Sequence, residues 1–135
     1  MTQPPIRFRL RRAQRLQRNA EYRLIRDQGR RVVQGCLILN WLERGDEKPA
    51  RVGIVVSRRI GGAVLRNRAR RLLRETFRLC QHKIKPGVDV VLVARKEILG
   101  RKQKEVEHDF LKALQRAELL KEESSTASSE GVATS

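Results

Sequence analysis

A chain of 135 residues with 39% apolar content suits one domain with a modest core and leaves little room for two. Lys and Arg number 31 against 15 Asp and Glu, a net charge of +16. That self-repulsion points to a polyanionic partner, nucleic acid ahead of an anionic membrane surface. No apolar run nears the ~20 residues of a bilayer span, and MTQPPIRFRLRRAQRL lacks the apolar core of a signal peptide. Cys36 and Cys80 have no metal-ligand spacing, so they read as buried reduced thiols of a cytoplasmic protein.

Residues 1–18 hold six arginines and no acid. They read as a flexible basic arm, either a solvated tail or a contact with RNA. Asn19 is placed to cap a short helix, AEYRLIRDQG, which Gly29 stops; Tyr22, Leu24 and Ile25 form its apolar side. RRVVQGCLILNWL follows as extended chain, its 31–42 stretch open to division into two short strands. ERGDEKPA is a turn around Gly45, Asp46 and Pro49. RVGIVVS is the next strand, and its near-continuous apolar run predicts burial on both faces. RRIGG then makes a basic loop.

The segment 63–81 has helical periodicity. Leu65, Ala69, Leu72, Leu73, Thr76 and Cys80 fall within one ~100° stripe, and Asn67, Arg70, Arg71, Arg74 and Arg78 fall opposite. KIKPG breaks the helix, and VDVVLVA is a further apolar strand. Its Asp89 is the only carboxylate placed for burial, as a cap or turn residue rather than a metal ligand. A last helix spans roughly 103–122, with Val106, Phe110, Leu111, Leu114, Ala117 and Leu119 or Leu120 on one side. Residues 19–122 therefore form the single domain. The tail at 123–135, rich in Ser, Thr and Ala, reads as disordered. The order α-β-β-α-β-α predicts an α+β fold with helices on one face of a small sheet.

From Arg66 to Arg78 the helix carries six arginines and one acid, Glu75. Like charges at i,i+4 cost a few tenths of a kcal/mol each. The apolar stripe outweighs that cost but does not explain the charge. A phosphate backbone does, because each guanidinium can fork onto phosphate and release a condensed counterion. No catalytic constellation accompanies this face. His82 and His108 lie far apart, RRIGGAV lacks the spacing and Lys of a phosphate loop, and carboxylates are too sparse for a two-metal site. The pattern is that of a binding protein with neither catalytic nor metal-ligating residues of its own. A duplex-DNA reader would carry a more varied polar face.

VGIVVSRRIGGAVLRNRARRLLRETFR closely resembles the signature of the bacterial ribonuclease P protein family. The matching residues are Ser57, Arg58, Arg59, Gly61, Ala63, Val64, Arg66, Asn67, Arg68, Arg71, Arg74 and Glu75. NAEYRLIRDQG is similar to the family's first helix and GVDVVLVAR to its fourth strand, so the resemblance covers roughly residues 15–120. A ribosomal or ribosome-assembly protein would share the charge and size but not this ordered pattern. The resemblance implies a small mixed sheet of about four strands packed with helices. It implies the fold of the second domain of small-subunit ribosomal protein five, with a left-handed βαβ crossover. It also implies a cytoplasmic, monomeric protein in a 1:1 complex with the ribonuclease P catalytic RNA. That complex removes the 5′ leader of precursor tRNA, with Mg²⁺ held mainly by the RNA.

Carried over by position, Arg66, Asn67, Arg68, Arg71 and Arg74 match the RNA-binding motif, and Arg58 and Arg59 match the basic pair before it. Arg70 and Arg78 extend the same basic face. Tyr22 matches an aromatic position of the leader-binding cleft, and equally fits as a core tyrosine of the first helix. Arg26 and Asn40 fall where the family often carries aromatics, which implies less stacking and more polar contact.

Overall fold

The apolar segments fold as alternating helices and strands in the computed structural model, which describes residues 19–121. The predicted arm at 1–18 and tail at 123–135 lie outside the described residues. The elements are α1 (Asn19–Gln28), β1 (Arg30–Gln34), β2 (Leu37–Glu43), β3 (Arg51–Val55), α2 (Ala63–Cys80), β4 (Val88–Ala94) and α3 (Gln103–Ala117). The 31–42 stretch does divide in two. Gln34 pairs with Leu37, so Gly35 and Cys36 alone close a hairpin. Gly35 takes φ 53, the left-handed value a two-residue hairpin loop needs at its first position.

The sheet order is β1-β2-β4-β3, with β3 parallel to β4 and the other pairs antiparallel. Central β4 shows why its sequence is almost wholly apolar. Val88, Val90, Leu92 and Ala94 join Leu37, Leu39, Trp41 and the inner faces of α2 and α3 in the main core. Val91 and Val93 point the other way and pack with Ile25, Tyr22, Leu42 and Val55. α1 therefore covers the face opposite α2 and α3, which corrects the expectation that all helices share one face. A strand apolar on both sides demands two covers, but its sequence does not say which helix supplies which. β3 is also covered on both faces, less completely, because it is an edge strand.

Two further expectations shift. Ala69, Leu72, Leu73, Thr76 and Cys80 of α2 are buried, but Leu65 is 43% exposed and Phe77 is fully buried instead. The Phe77 ring lies 6.4 Å from that of Phe110, so the buried arc of α2 turns toward α3 as well as the sheet. The last helix stops at Ala117 rather than near 122. Glu118 adopts the left-handed conformation, and the Leu119 N–H reaches back to the Leu114 carbonyl at 2.9 Å. That turn buries Leu119 and lets Leu120 bridge to Ile84.

Candidate nucleic-acid interface

The basic face of α2 is built by helical geometry from the residues its core stripe leaves outside. Asn67, Arg71 and Arg74 are exposed there, with Arg70 partly exposed beside them. The Arg70 guanidinium donates to the Asn67 side-chain oxygen at 3.2 Å, which leaves the Asn67 amide nitrogen as a directional donor. Arg66 and Arg68 do not join this face. Residues two apart on a helix diverge by about 160°, so they leave on opposite flanks. Arg68 donates to the Arg101 carbonyl ahead of α3 at 2.7 Å. The Nε of Arg66 is buried, without a hydrogen-bond partner among the described residues.

Arg78 lies on the predicted face but is neutralised. It is paired with Glu75, one turn back, through two of its nitrogens. The Arg78 guanidinium in turn holds the Glu75 carboxyl below the usual carboxylate range. Arg58 and Arg59 are exposed in a short 3₁₀ turn between β3 and α2. The Ser57 hydroxyl caps that turn by accepting from the Arg59 N–H, and buried Ile60 anchors it.

On the other face of the sheet α1 leaves a groove of about 450 Å³, lined by Tyr22, Arg23, Arg26, Asn40, Val55, Val91 and Val93. Tyr22, Arg26 and Asn40, singled out in the sequence, thus line one surface. Arg23 and the valine floor were missed. The signal was present in the period-two alternation of β4, once α1 is known to cover its second side. The register sets Arg31, Asn40, Val91 and Gly53 in one row across all four strands. Arg31 therefore extends this surface to the outer edge, beside Asn40.

An ion-pair network fixes the start of α1 to the end of the sheet. Asp89 is 6% exposed and accepts two bonds from Arg51, at 2.9 and 2.8 Å, with a further bond from Arg44. Arg51 also donates to Glu21 of α1 at 3.2 Å. Asp89 is thus buried, as expected, but as an arginine partner rather than a cap. It is not the only such carboxylate: Asp109 is 7% exposed and accepts from the Cys36 N–H at 3.0 Å. A polar position on the α3 pattern gave no hint of that distant partner. Burial, with Asp109 adding to it, pushes the Cys36 thiol up to about 12, and burial pushes Cys80 to about 11. Both cysteines are free and buried. Among the described residues no helix is long and apolar enough to cross a membrane.

The family model for Ribonuclease P matches residues 10–118. The chain belongs to the ribonuclease P protein family. The ribonuclease P protein component of Gluconacetobacter diazotrophicus is 40% identical over 108 residues, 78% of this chain and 92% of that relative. That of Pelotomaculum thermopropionicum is 39% identical over 104 residues, 77% of this chain and 92% of the relative. Among solved structures, the Staphylococcus aureus RNase P protein aligns with a TM-score of 0.73 at 25% identity, covering 82% of this chain and 100% of that one. The Thermotoga maritima protein aligns at 0.68 and 29% identity, covering 76% and 96%. As a member of the ribonuclease P protein family, this chain is a subunit of a ribonucleoprotein endonuclease of tRNA processing.

Proposed function

We propose that this subunit is non-catalytic and binds RNA at two surfaces. The α2 face, with Arg58 and Arg59 at its head, docks on the ribonuclease P catalytic RNA. The groove under α1 takes the single-stranded 5′ leader of precursor tRNA. One observation carries the reading: β3 joins two unlike surfaces. Its Val55 lines the groove, and three residues on begins the basic turn that leads into α2. A partner RNA lying along α2 would then place its substrate's leader beside Tyr22, Arg26 and Asn40.

The division of labour follows from residue chemistry. Arg70, Arg71 and Arg74 supply charge to phosphates, while Asn67 fixes direction. Tyr22 offers a stacking ring, and the arginines of the groove follow the backbone of an unpaired strand. Mg²⁺ held mainly by the RNA supplies the hydrolytic chemistry. Among the described residues no group of three or more His, Cys, Asp or Glu comes together. Among the described residues the buried carboxylates Asp89 and Asp109 are engaged by arginines and by backbone. One protein pairs with one RNA in this reading.

The test is cleavage of 5′-labelled precursor tRNA at low Mg²⁺. It compares RNA subunit alone, protein alone, both together, and both with the double variant Asn67→Ala, Arg71→Ala. Cleavage confined to the combined sample, and weakened by the double change, is the expected result. Cleavage by protein alone would place a catalytic site in this chain. If five phosphates meet the basic surface, affinity for the RNA subunit falls with salt at a log–log slope of about −3.5 to −4.5.

A further inference from the structure

Resting on the leader-groove reading, we propose that Gly53 is a positioning residue for leader recognition: its missing side chain is the seat that holds the Tyr22 ring at the groove. The backbone does not require glycine at this position. Gly53 lies inside β3, paired with Val91 in a regular parallel ladder, and it is not among the glycines with positive φ. Glycine within a strand weakens it, and often marks a close approach by another group. Here that group is the tyrosine. A Cβ built on Gly53 would stand 2.5 Å from Cζ of Tyr22, 2.6 Å from its hydroxyl and 2.8 Å from Cε2. No side chain other than hydrogen leaves the ring where it is.

Three neighbouring contacts make this seat specific. The Glu21–Arg51 pair ties the first turn of α1 to β3 at 3.2 Å. The Tyr22 ring rests on Gly53 two residues further along the strand. Its hydroxyl then takes the Ile54 backbone N–H. Burial in this seat raises the Tyr22 phenol above its ordinary range, opposed by the Ile54 bond and aided by Glu21. Tyr22 nonetheless lines the groove, at one end of the row that continues through Val91 and Asn40 to Arg31. In a groove with arginine and asparagine at its other named polar positions, this ring is the aromatic platform, and Gly53 sets its position. The atoms a Cβ would meet are the far end of a side chain, so an alanine displaces the ring rather than breaking the sheet.

The experiment uses the reconstituted holoenzyme and two precursor tRNAs, one with a leader of several nucleotides and one with a single-nucleotide leader. Gly53→Ala, Tyr22→Ala and the double variant are compared with the unaltered protein. Gly53→Ala is expected to lose about fivefold in affinity for the long-leader substrate, as loss of one stacked base implies. It should lose less than twofold for the short one. The double variant should be no weaker than Tyr22→Ala alone. Because this is the chain's single tyrosine, absorbance titration of the free protein reports the seat directly: the phenol midpoint falls toward its ordinary value in Gly53→Ala.

An unchanged midpoint, or a Gly53→Ala protein that fails to fold, overturns the seat. So does an equal further loss when Gly53→Ala is added to Tyr22→Ala. If Tyr22→Ala binds long leaders normally, the leader reading fails at this residue. The midpoint shift still decides the seat on its own.

Discussion

Arginines occur in two settings in this protein, and the contrast separates folding from binding. At the sheet end, Arg44 and Arg51 converge on one buried carboxylate, and each also meets a second acid: Asp46 for Arg44, Glu21 for Arg51. On α2 the single acid, Glu75, is taken by Arg78, and Arg71 and Arg74 stand exposed beside Arg70. Charge that is matched inside the fold holds elements together. Charge left unmatched on a helix face adds only repulsion to the free protein, so its use lies in a partner. Residue type alone does not distinguish the two; the nearest carboxylate does.

The strongest way to break this comparison is Asp89→Ala. It leaves two guanidiniums facing a partly buried gap, and a loss of about 3 kcal/mol in urea unfolding is expected, with the salt slope of RNA binding retained. Unchanged stability would remove the structural role of the sheet-end arginines. Arg71→Ala with Arg74→Ala is the converse. Stability should move by less than about 0.5 kcal/mol, while the log–log salt slope falls by about two units. A slope that does not move would mean these two side chains face solvent in the complex.

Glu75→Gln sharpens the boundary case. It releases Arg78 to the basic face, so affinity for the RNA subunit should rise about threefold and the slope steepen by up to one unit. A fall in affinity would show that Glu75 itself organises the face. The smallest effect is a titration. Arg44, and then the Lys48 N–H, hold the exposed Asp46 carboxyl down to about 2. A depressed carboxyl stabilises the fold above its unfolded value, and that contribution disappears as pH falls from there through about 2. Carboxyl NMR should place Asp46 near that value, and Arg44→Gln should move it up toward the ordinary range, with the Lys48 N–H bond still holding it partly down.

Much of the fold was legible in the pattern. The period-3.6 stripe located α2 to within a residue, since its apolar and charged positions separate cleanly around the helix. The 31–42 run was open to division into two strands, and the structure places that division at Gly35 and Cys36. The buried thiols and the basic face followed from residue type and period. What escaped depends on contacts distant in the chain. Phe77 replaces Leu65 in the core because α3 lies against α2. Asp109 is buried because it serves the N–H of Cys36, 73 residues earlier. Glu118 ends α3 in a conformation that its side chain does not advertise.

The candidate site divides in the same way. The exposed placement of Arg58, Arg59, Arg71 and Arg74 was legible because neighbours on a helix or turn are set by local geometry; the departure of Arg66 and Arg68 from that face and the capture of Arg78 by Glu75 were not. The groove needed the fold. Tyr22, Asn40 and Gly53 lie on three separate elements. Only the placement of α1 on the second face of β4, and the register of four strands, brings them into one row.

The sequence by itself determined the elements, the amphipathic helix and the excess of positive charge, because each follows from periodicity and residue chemistry over short spans. Tertiary structure alone decided which sheet face each helix covers, which arginines meet carboxylates, and why a strand carries glycine where an aromatic ring rests. Those outcomes depend on close packing between residues tens of positions apart, and hydrophobic pattern is blind to which partner a face will meet.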